Sequence, residues 1–138
     1  HRDQCGARDE SGQRALQDPG MNPRATGRTG EAIARAWLEE RGYECIGENV
    51  RTAGGEIDLV MRRNERIVFV EVKFRRSARF GSAIEAVDER KLARVEGAAM
   101  AYLSEHGLPA NTDCTVAAFA IDERGGERTC TFIENARA

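Results

Sequence analysis

The sequence lacks several features that would define a function at once. It has no apolar run long enough to cross a membrane and no apolar stretch near residue 1 typical of a secretory signal peptide. Its four Cys show no C-x-x-C spacing, and its two His are isolated. These absences argue against a zinc site and a His-based catalytic triad. We expect a cytoplasmic protein with no membrane partner.

Lysine is also scarce. Of the 21 Lys and Arg residues, 19 are Arg, and only Lys73 and Lys91 are Lys. Because Arg serves here wherever a generic positive charge is enough, a retained Lys indicates a place where a compact, titratable ammonium group matters. This composition singles out Lys73, which lies among apolar residues in Phe69-Val70-Glu71-Val72-Lys73.

Length and composition are those of one globular domain: 138 residues, of which 41% are apolar and 32% charged. The net charge of −2 is unevenly spread, because residues 62–94 carry ten Arg or Lys against five Asp or Glu. A local basic zone is what binding to a phosphate backbone requires. A solvated charged face without a partner is the alternative.

Hydrophobic periodicity predicts seven elements in the order helix-strand-strand-strand-helix-strand-strand. Their expected bounds are Gly27–Arg41, Tyr43–Thr52, Glu56–Arg62, Arg66–Arg75, Ile84 or Asp88 to His106, Thr115–Ile121 and Arg128–Ile133. This order indicates an α/β domain over residues 27–138, with a mixed central sheet of about five strands flanked by helices. Residues 1–26 show almost no apolar periodicity, so we expect a disordered or loosely attached extension there.

The second and third predicted strands carry acids inside apolar runs. An unpaired carboxylate buried in a strand costs several kcal/mol, so Glu56, Asp58 and Glu71 require a compensating cation. A two-residue hairpin loop at residues 64–65 would place Asp58 opposite Glu71 and Glu56 opposite Lys73. Two facing acids repel each other unless a cation lies between them, and the hairpin therefore predicts a metal site.

The expected ion is Mg²⁺ (or Mn²⁺), which takes oxygen ligands. Asp58 and Glu71 would supply carboxylates, and Val72 would supply a backbone carbonyl. Lys73, further along the same strand face, would position a water or stabilise charge developing on a phosphate. These are the requirements of metal-assisted phosphodiester hydrolysis.

Several neighbouring residues complete the predicted site. Glu56 would lie behind the metal-binding acids, and Arg75, Arg76 and Arg79 would contact the phosphate backbone of a nucleic acid. A salt-bridged hairpin without any ligand remains an alternative, because structural ion-pair networks also gather charges in this way.

Six short motifs follow one another across the predicted domain. They are Gly27-Arg28-Thr29-Gly30-Glu31, Gly42-Tyr43, Asn49-Val50-Arg51, Gly55-Glu56-Ile57-Asp58-Leu59, Phe69-Val70-Glu71-Val72-Lys73 and Phe80-Gly81. In this order they resemble the YraN-like family of small bacterial proteins, which are regarded as endonucleases related to archaeal Holliday-junction resolvases. The resemblance covers residues 24–136.

This resemblance implies a restriction-endonuclease-like fold with a PD-(D/E)xK site. Asp58 matches the first metal-binding acid and Glu71 the second, while Lys73 matches the catalytic lysine. The Pro of the motif is replaced by Ile57. Glu31, which by position alone is equally well a helix-start acid, matches an acid near the metal in resolvase-like members.

The resemblance also implies a function. The expected activity is Mg-dependent hydrolysis of DNA, with branched, Holliday-junction-like DNA as a candidate substrate and a homodimer as the candidate assembly. The alternative is a non-catalytic nucleic-acid-binding or protein-interaction module that retains the nuclease fold.

Overall fold

The computed structural model describes residues 2–4, 23–76 and 82–137, with side-chain surroundings from residue 29 onward. Its elements are β1 (Arg2–Gln4), α1 (Pro23–Glu39), β2 (Glu44–Thr52), β3 (Gly55–Arg63), β4 (Arg66–Arg75), a 3-10 turn (Ile84–Ala86), α2 (Glu89–Glu105), β5 (Cys114–Arg124) and β6 (Glu127–Ile133). None of the helices in these ranges is both long and apolar enough to cross a membrane.

The expected mixed α/β fold is confirmed. The sheet runs in the order β1-β6-β5-β4-β3-β2, and its neighbours pair antiparallel except for β4 and β5, which are parallel. A parallel pair requires a crossover connection, and α2 supplies it. The predicted five strands correspond to β2–β6, and β1 adds three residues to the β6 edge. Because residues 5–22 lie outside the described ranges, the loosely attached extension remains a prediction.

Two hydrophobic clusters cover the two faces of the sheet. On one face α1 contributes Trp37 and Leu38, which pack on side chains such as Val68 and Phe119. On the other face α2 contributes Val95 and Leu103, together with other residues that pack on Ile57, Val60 and Phe69. The central residues of β4, from Ile67 to Val70, are at most 7% exposed because helices cover both faces.

The β3–β4 hairpin has the predicted register. Arg63 pairs with Arg66 across a two-residue loop, and the ladder continues to the pair Leu59–Val70. Asn64 in this loop has a φ of 56°, in the left-handed region that Asn tolerates better than most residues. The hairpin therefore has two different ends. The turn end is fully paired, whereas at the opposite end, beyond Leu59, the ladder stops.

A close backbone approach fixes the start of β3 against α2. A Cβ on Gly54 would lie 2.4 Å from the carbonyl oxygen of Gly97 in α2, closer than real Cβ atoms come. Only glycine allows the β2–β3 turn to come this near the helix. This contact positions the chain four residues before Asp58.

Candidate active site

The predicted acids lie where β3 and β4 separate. The Val72 N–H donates to Oδ2 of Asp58 at 2.8 Å, so this side chain replaces a backbone partner in the ladder. Strand alternation also breaks here. Ile57 packs in the α2-side cluster, whereas Leu59 packs in the α1-side cluster, although a regular strand would place both on one face. Asp58 occupies the position of this irregularity.

Asp58 and Glu71 form a hydrogen-bonded pair of acids. Burial, with the nearby Asp58 charge as the second cause, raises the pKa of Glu71 to about 7, against an ordinary value of 4.5. Burial also raises the pKa of Asp58, although the hydrogen bond from Val72 opposes that rise. Glu71 therefore takes up a proton at higher pH than an ordinary Glu, and its protonated carboxyl can donate to Asp58. A bound cation would remove the need for that proton.

Glu31 approaches the same acids from α1. Burial raises its pKa to about 7, with the Asp58 charge as the next cause, and a hydrogen bond with the Asn49 side chain opposes the rise. Asn49 has a φ of 49°, a conformation uncommon outside glycine. It lies in β2 between the residues that pair with Leu59 and Ile57. The sequence offered Asn49 only as part of a motif, and its bond to Glu31 emerges from the fold.

The largest addition to the predicted site is Lys91. This residue lies in the first turn of α2, close enough for its charge to act on Lys73 in β4. Burial lowers the pKa of Lys73, and the positive charge of Lys91 lowers it further. The Lys91 charge also acts on Glu71, where it opposes the rise in pKa. The charges of both lysines therefore act on Glu71. Their shared rarity was the sequence signal that could have found Lys91.

Glu56 does not take the position expected opposite Lys73. The described β3–β4 ladder ends before Glu56, which instead forms an ion pair with Arg51 in β2, with Oε2 3.4 Å from Nε. Both side chains are at least half exposed. Glu56 still lies close enough for its charge to act on Asp58 and Glu31.

The three predicted phosphate contacts differ in their surroundings. Arg75 lies on β4 opposite Asp122, and its charge contributes to the lowered pKa of Lys73. Arg76 is exposed, with its guanidinium carbon 5.9 Å from the centroid of the Phe74 ring. Arg79 lies outside the described residues.

The donor set suits an ion that needs few protein ligands. Within the described ranges no three His, Cys, Asp or Glu side chains converge as a ready-made metal site. Mg²⁺ characteristically takes one or two carboxylates and completes its shell with water and substrate oxygens. Asp58 and Glu71 match that requirement, and a cation between them would offset the charge that raises the pKa of Glu71. The ligand role predicted for the Val72 carbonyl remains a prediction.

Comparison with known proteins identifies the family of this chain. The model of Uncharacterised protein family UPF0102 matches residues 30–124. The chain belongs to this family. The matched region runs from α1 to the end of β5 and contains every candidate site residue between Glu31 and Lys91. The expected likeness to YraN-like proteins is thereby confirmed.

Individual relatives in UPF0102 cover most of the domain. A UPF0102 protein of Brachyspira hyodysenteriae is 40% identical over 116 residues, which span 83% of this chain and 96% of that protein. One from Shewanella denitrificans is 42% identical over 97 residues, or 70% of this chain and 88% of the relative. One from Syntrophomonas wolfei is 48% identical over 80 residues, or 58% of this chain and 70% of the relative.

Proposed function

We propose that this UPF0102 protein is a divalent-metal-dependent endonuclease that hydrolyses phosphodiester bonds of DNA, with branched, Holliday-junction-like DNA among its substrates. The observation that supports this most strongly is the Asp58–Glu71 pair, which is partly buried, hydrogen-bonded and shifted to higher pKa. Two acids are costly to hold together without a cation. Lys73 and Lys91 lie beside them, as a site for phosphate chemistry requires.

Each side chain has a distinct task in this proposal. Asp58 and Glu71 would hold Mg²⁺ or Mn²⁺, which would supply an acidified water and positive charge beside the phosphate. The Val72 N–H fixes the orientation of Asp58 through its 2.8 Å hydrogen bond. Glu31 would orient water from the α1 side, and Lys73 would donate to the attacking water or to a phosphate oxygen as charge develops.

The basic side chains around β4 would hold the substrate. Arg75 lies two residues beyond Lys73 on the same strand, and Arg76 is exposed next to it. Together with Arg79 they would contact phosphates on either side of the cleaved bond without reading base sequence. Such contacts favour recognition of DNA shape and backbone, consistent with a branched substrate.

The test is a cleavage assay with purified protein in Mg²⁺ or Mn²⁺. The substrates are linear duplex DNA, single-stranded DNA, a four-way DNA junction and single-stranded RNA. We expect cleavage of DNA that EDTA abolishes, and a loss of at least about a hundredfold in Lys73→Met. Arg90→Met, which removes an exposed cation in the first turn of α2, serves as the matched control.

Two results would overturn the proposal. If no substrate is cut with either metal, the alternative of a non-catalytic binding module takes its place. If Lys73→Met cuts as fast as the wild type, Lys73 has no catalytic role and the cleavage does not depend on the proposed site. Sedimentation with and without a four-way junction tests the proposed homodimer, which would match two sites to a two-fold junction. The proposal includes the cytoplasmic location expected from the sequence.

A further inference from the structure

A pocket lies beside the turn of the β3–β4 hairpin, at the opposite end from Asp58, and we call it the turn pocket. Its volume is about 640 Å³, within the range of about 300–1,000 Å³ that is typical of small-molecule sites. Apolar and polar side chains from β2, the hairpin and the end of α2 line it together. They include Ile46, Arg62, Asn64, Ile67, Tyr102 and His106.

Two stacked aromatic rings form one wall of the turn pocket. The ring centroids of Tyr102 and His106 lie 3.9 Å apart, and their planes differ by 21°. Nδ1 of His106 donates to the Tyr102 carbonyl oxygen at 2.9 Å, because a carbonyl can only accept. In the neutral imidazole, Nε2 is then a hydrogen-bond acceptor. This wall therefore offers flat aromatic surface together with an acceptor.

The Tyr102 hydroxyl adds a second polar group. Tyr102 is only 6% exposed, and a buried Tyr usually gives its hydroxyl a hydrogen-bond partner. Among the described residues, the contacts of this side chain are ring contacts with Phe69 and His106, and none provides that partner. A ligand in the turn pocket can supply it, either as donor or as acceptor.

The charges around the turn pocket favour an uncharged ligand. Arg62 is already paired with Glu44, with Nη2 2.7 Å from Oε1, and Glu65 adds an exposed acid to the lining. One cation thus stands against two acids. A phosphate group would meet this negative balance and be repelled.

We propose that the turn pocket binds an uncharged, planar nitrogen heterocycle of nucleobase size, such as the base of a nucleoside. Aromatic side chains, His among them, are ordinary stacking partners of bases. The base would stack on the aromatic wall and pack against Ile46 and Leu108, and its edge would exchange hydrogen bonds with the Tyr102 hydroxyl and Nε2 of His106. This site goes beyond the proposed nuclease function and requires neither metal nor DNA.

The test is an NMR titration of the protein in EDTA at pH 8 with adenosine, guanosine, cytidine and uridine. We expect the ring signals of His106 and Tyr102 to shift with one midpoint, at a dissociation constant between about 0.1 and 2 mM for at least one nucleoside. Tyr102→Phe, which removes only the hydroxyl, should weaken this binding about three- to tenfold.

Ser104→Ala is the matched control, because it removes an exposed hydroxyl from the same turn of α2 without touching the lining of the pocket. It should change nucleoside affinity less than about 1.5-fold. Adenosine monophosphate serves as the control ligand and should bind more weakly than adenosine. Far-ultraviolet circular dichroism of both variants confirms that they are folded.

Three outcomes would overturn the inference. The first is that no nucleoside shifts the two ring signals at concentrations up to about 5 mM. The second is equal affinity in Tyr102→Phe and Ser104→Ala. The third is tighter binding of adenosine monophosphate than of adenosine, since the pocket would then select phosphate. Because EDTA removes any metal, none of these outcomes bears on the nuclease function, which the cleavage assay tests separately.

Discussion

The two ends of the β3–β4 hairpin organise charge in opposite ways. Near the turn, three acids each lie within 3.2 Å of an arginine. Arg62 lies 2.7 Å from Glu44, while Arg66 lies 3.2 Å from Asp113 and 3.1 Å from Glu134. These pairs are largely exposed to solvent, so each contributes little to stability. Each of these three acids therefore has an arginine as counter-charge without a ligand.

The opposite end of the hairpin, the site end, brings acids close to one another. Asp58 and Glu71 are hydrogen-bonded acids there, Glu31 adds a third acid, and the charge of Lys91 acts on Lys73. Folding holds these groups together at a cost, since burial opposes the charge of each acid and of Lys73. A pair of unlike charges needs nothing further, whereas a pair of like charges indicates a missing ligand of opposite sign. The hairpin is thus charge-paired at one end and prepared for binding a cation at the other.

Removing one acid at the site end should produce the largest effect. Asp58→Asn should lower metal-dependent DNA cleavage by about a thousandfold, because it removes a proposed ligand and the partner of Glu71. Single-turnover cleavage of a four-way junction measures the loss. Glu44→Gln at the turn end removes one acid of an exposed pair and should change the rate less than about twofold. Equal losses in both variants would erase the distinction between the two ends.

Metal binding should depend on pH only through the site end. Because the pKa of Glu71 is about 7, a bound cation must displace its proton near neutrality. Affinity for Mn²⁺ should therefore tighten by about tenfold between pH 6 and pH 8, with proton release. Calorimetry in buffers of different ionisation enthalpy measures both quantities. If the affinity for Mn²⁺ does not change between pH 6 and pH 8, the Asp58–Glu71 pair is not the binding site.

Neutralising an acid should stabilise the metal-free fold. The pKa of Glu71 is raised from 4.5 to about 7 on folding, so stability is lost as pH rises through that interval. Glu71→Gln should raise the free energy of unfolding by about 1–2 kcal/mol at pH 8 and change it little at pH 5. Urea unfolding in EDTA provides the measurement. A loss of stability at pH 8 would mean that Glu71 belongs to a favourable ion-pair network instead.

The smallest effect should come from the turn end. Arg62→Met breaks the 2.7 Å pair with Glu44, in which both side chains are about half exposed or more. We expect a loss of less than about 1 kcal/mol in the free energy of unfolding and no change in Mn²⁺ affinity. Urea unfolding and calorimetry check the two expectations. A weaker Mn²⁺ affinity would reveal that the two ends are linked through the hairpin.

Local patterns predicted the hairpin well. The bounds of β4 match those observed, and the two-residue loop and its register follow from alternation and from Asn64. The break in alternation at Asp58 was not predictable in this way. Asn49, in the neighbouring strand β2, takes a left-handed φ that repeating patterns do not encode.

The rest of the site depends on tertiary packing. Lys91 is eighteen residues from Lys73 along the chain, and its charge acts on Lys73 because α2 covers one face of β4. Periodicity predicts that α2 has an apolar face but not which sheet face it covers. Glu31 became a candidate through family resemblance, and its bond to Asn49 depends on the packing of α1.

The central claim is that the site end of the hairpin binds a cation between its acids. The most direct measurement is a crystal structure of the protein soaked with Mn²⁺, with anomalous density collected at the manganese edge. We predict a peak bonded to carboxylate oxygens of both Asp58 and Glu71, with the hydrogen bond between these acids broken. A structure at saturating Mn²⁺ in which that hydrogen bond persists and no peak lies between the two acids would contradict the account.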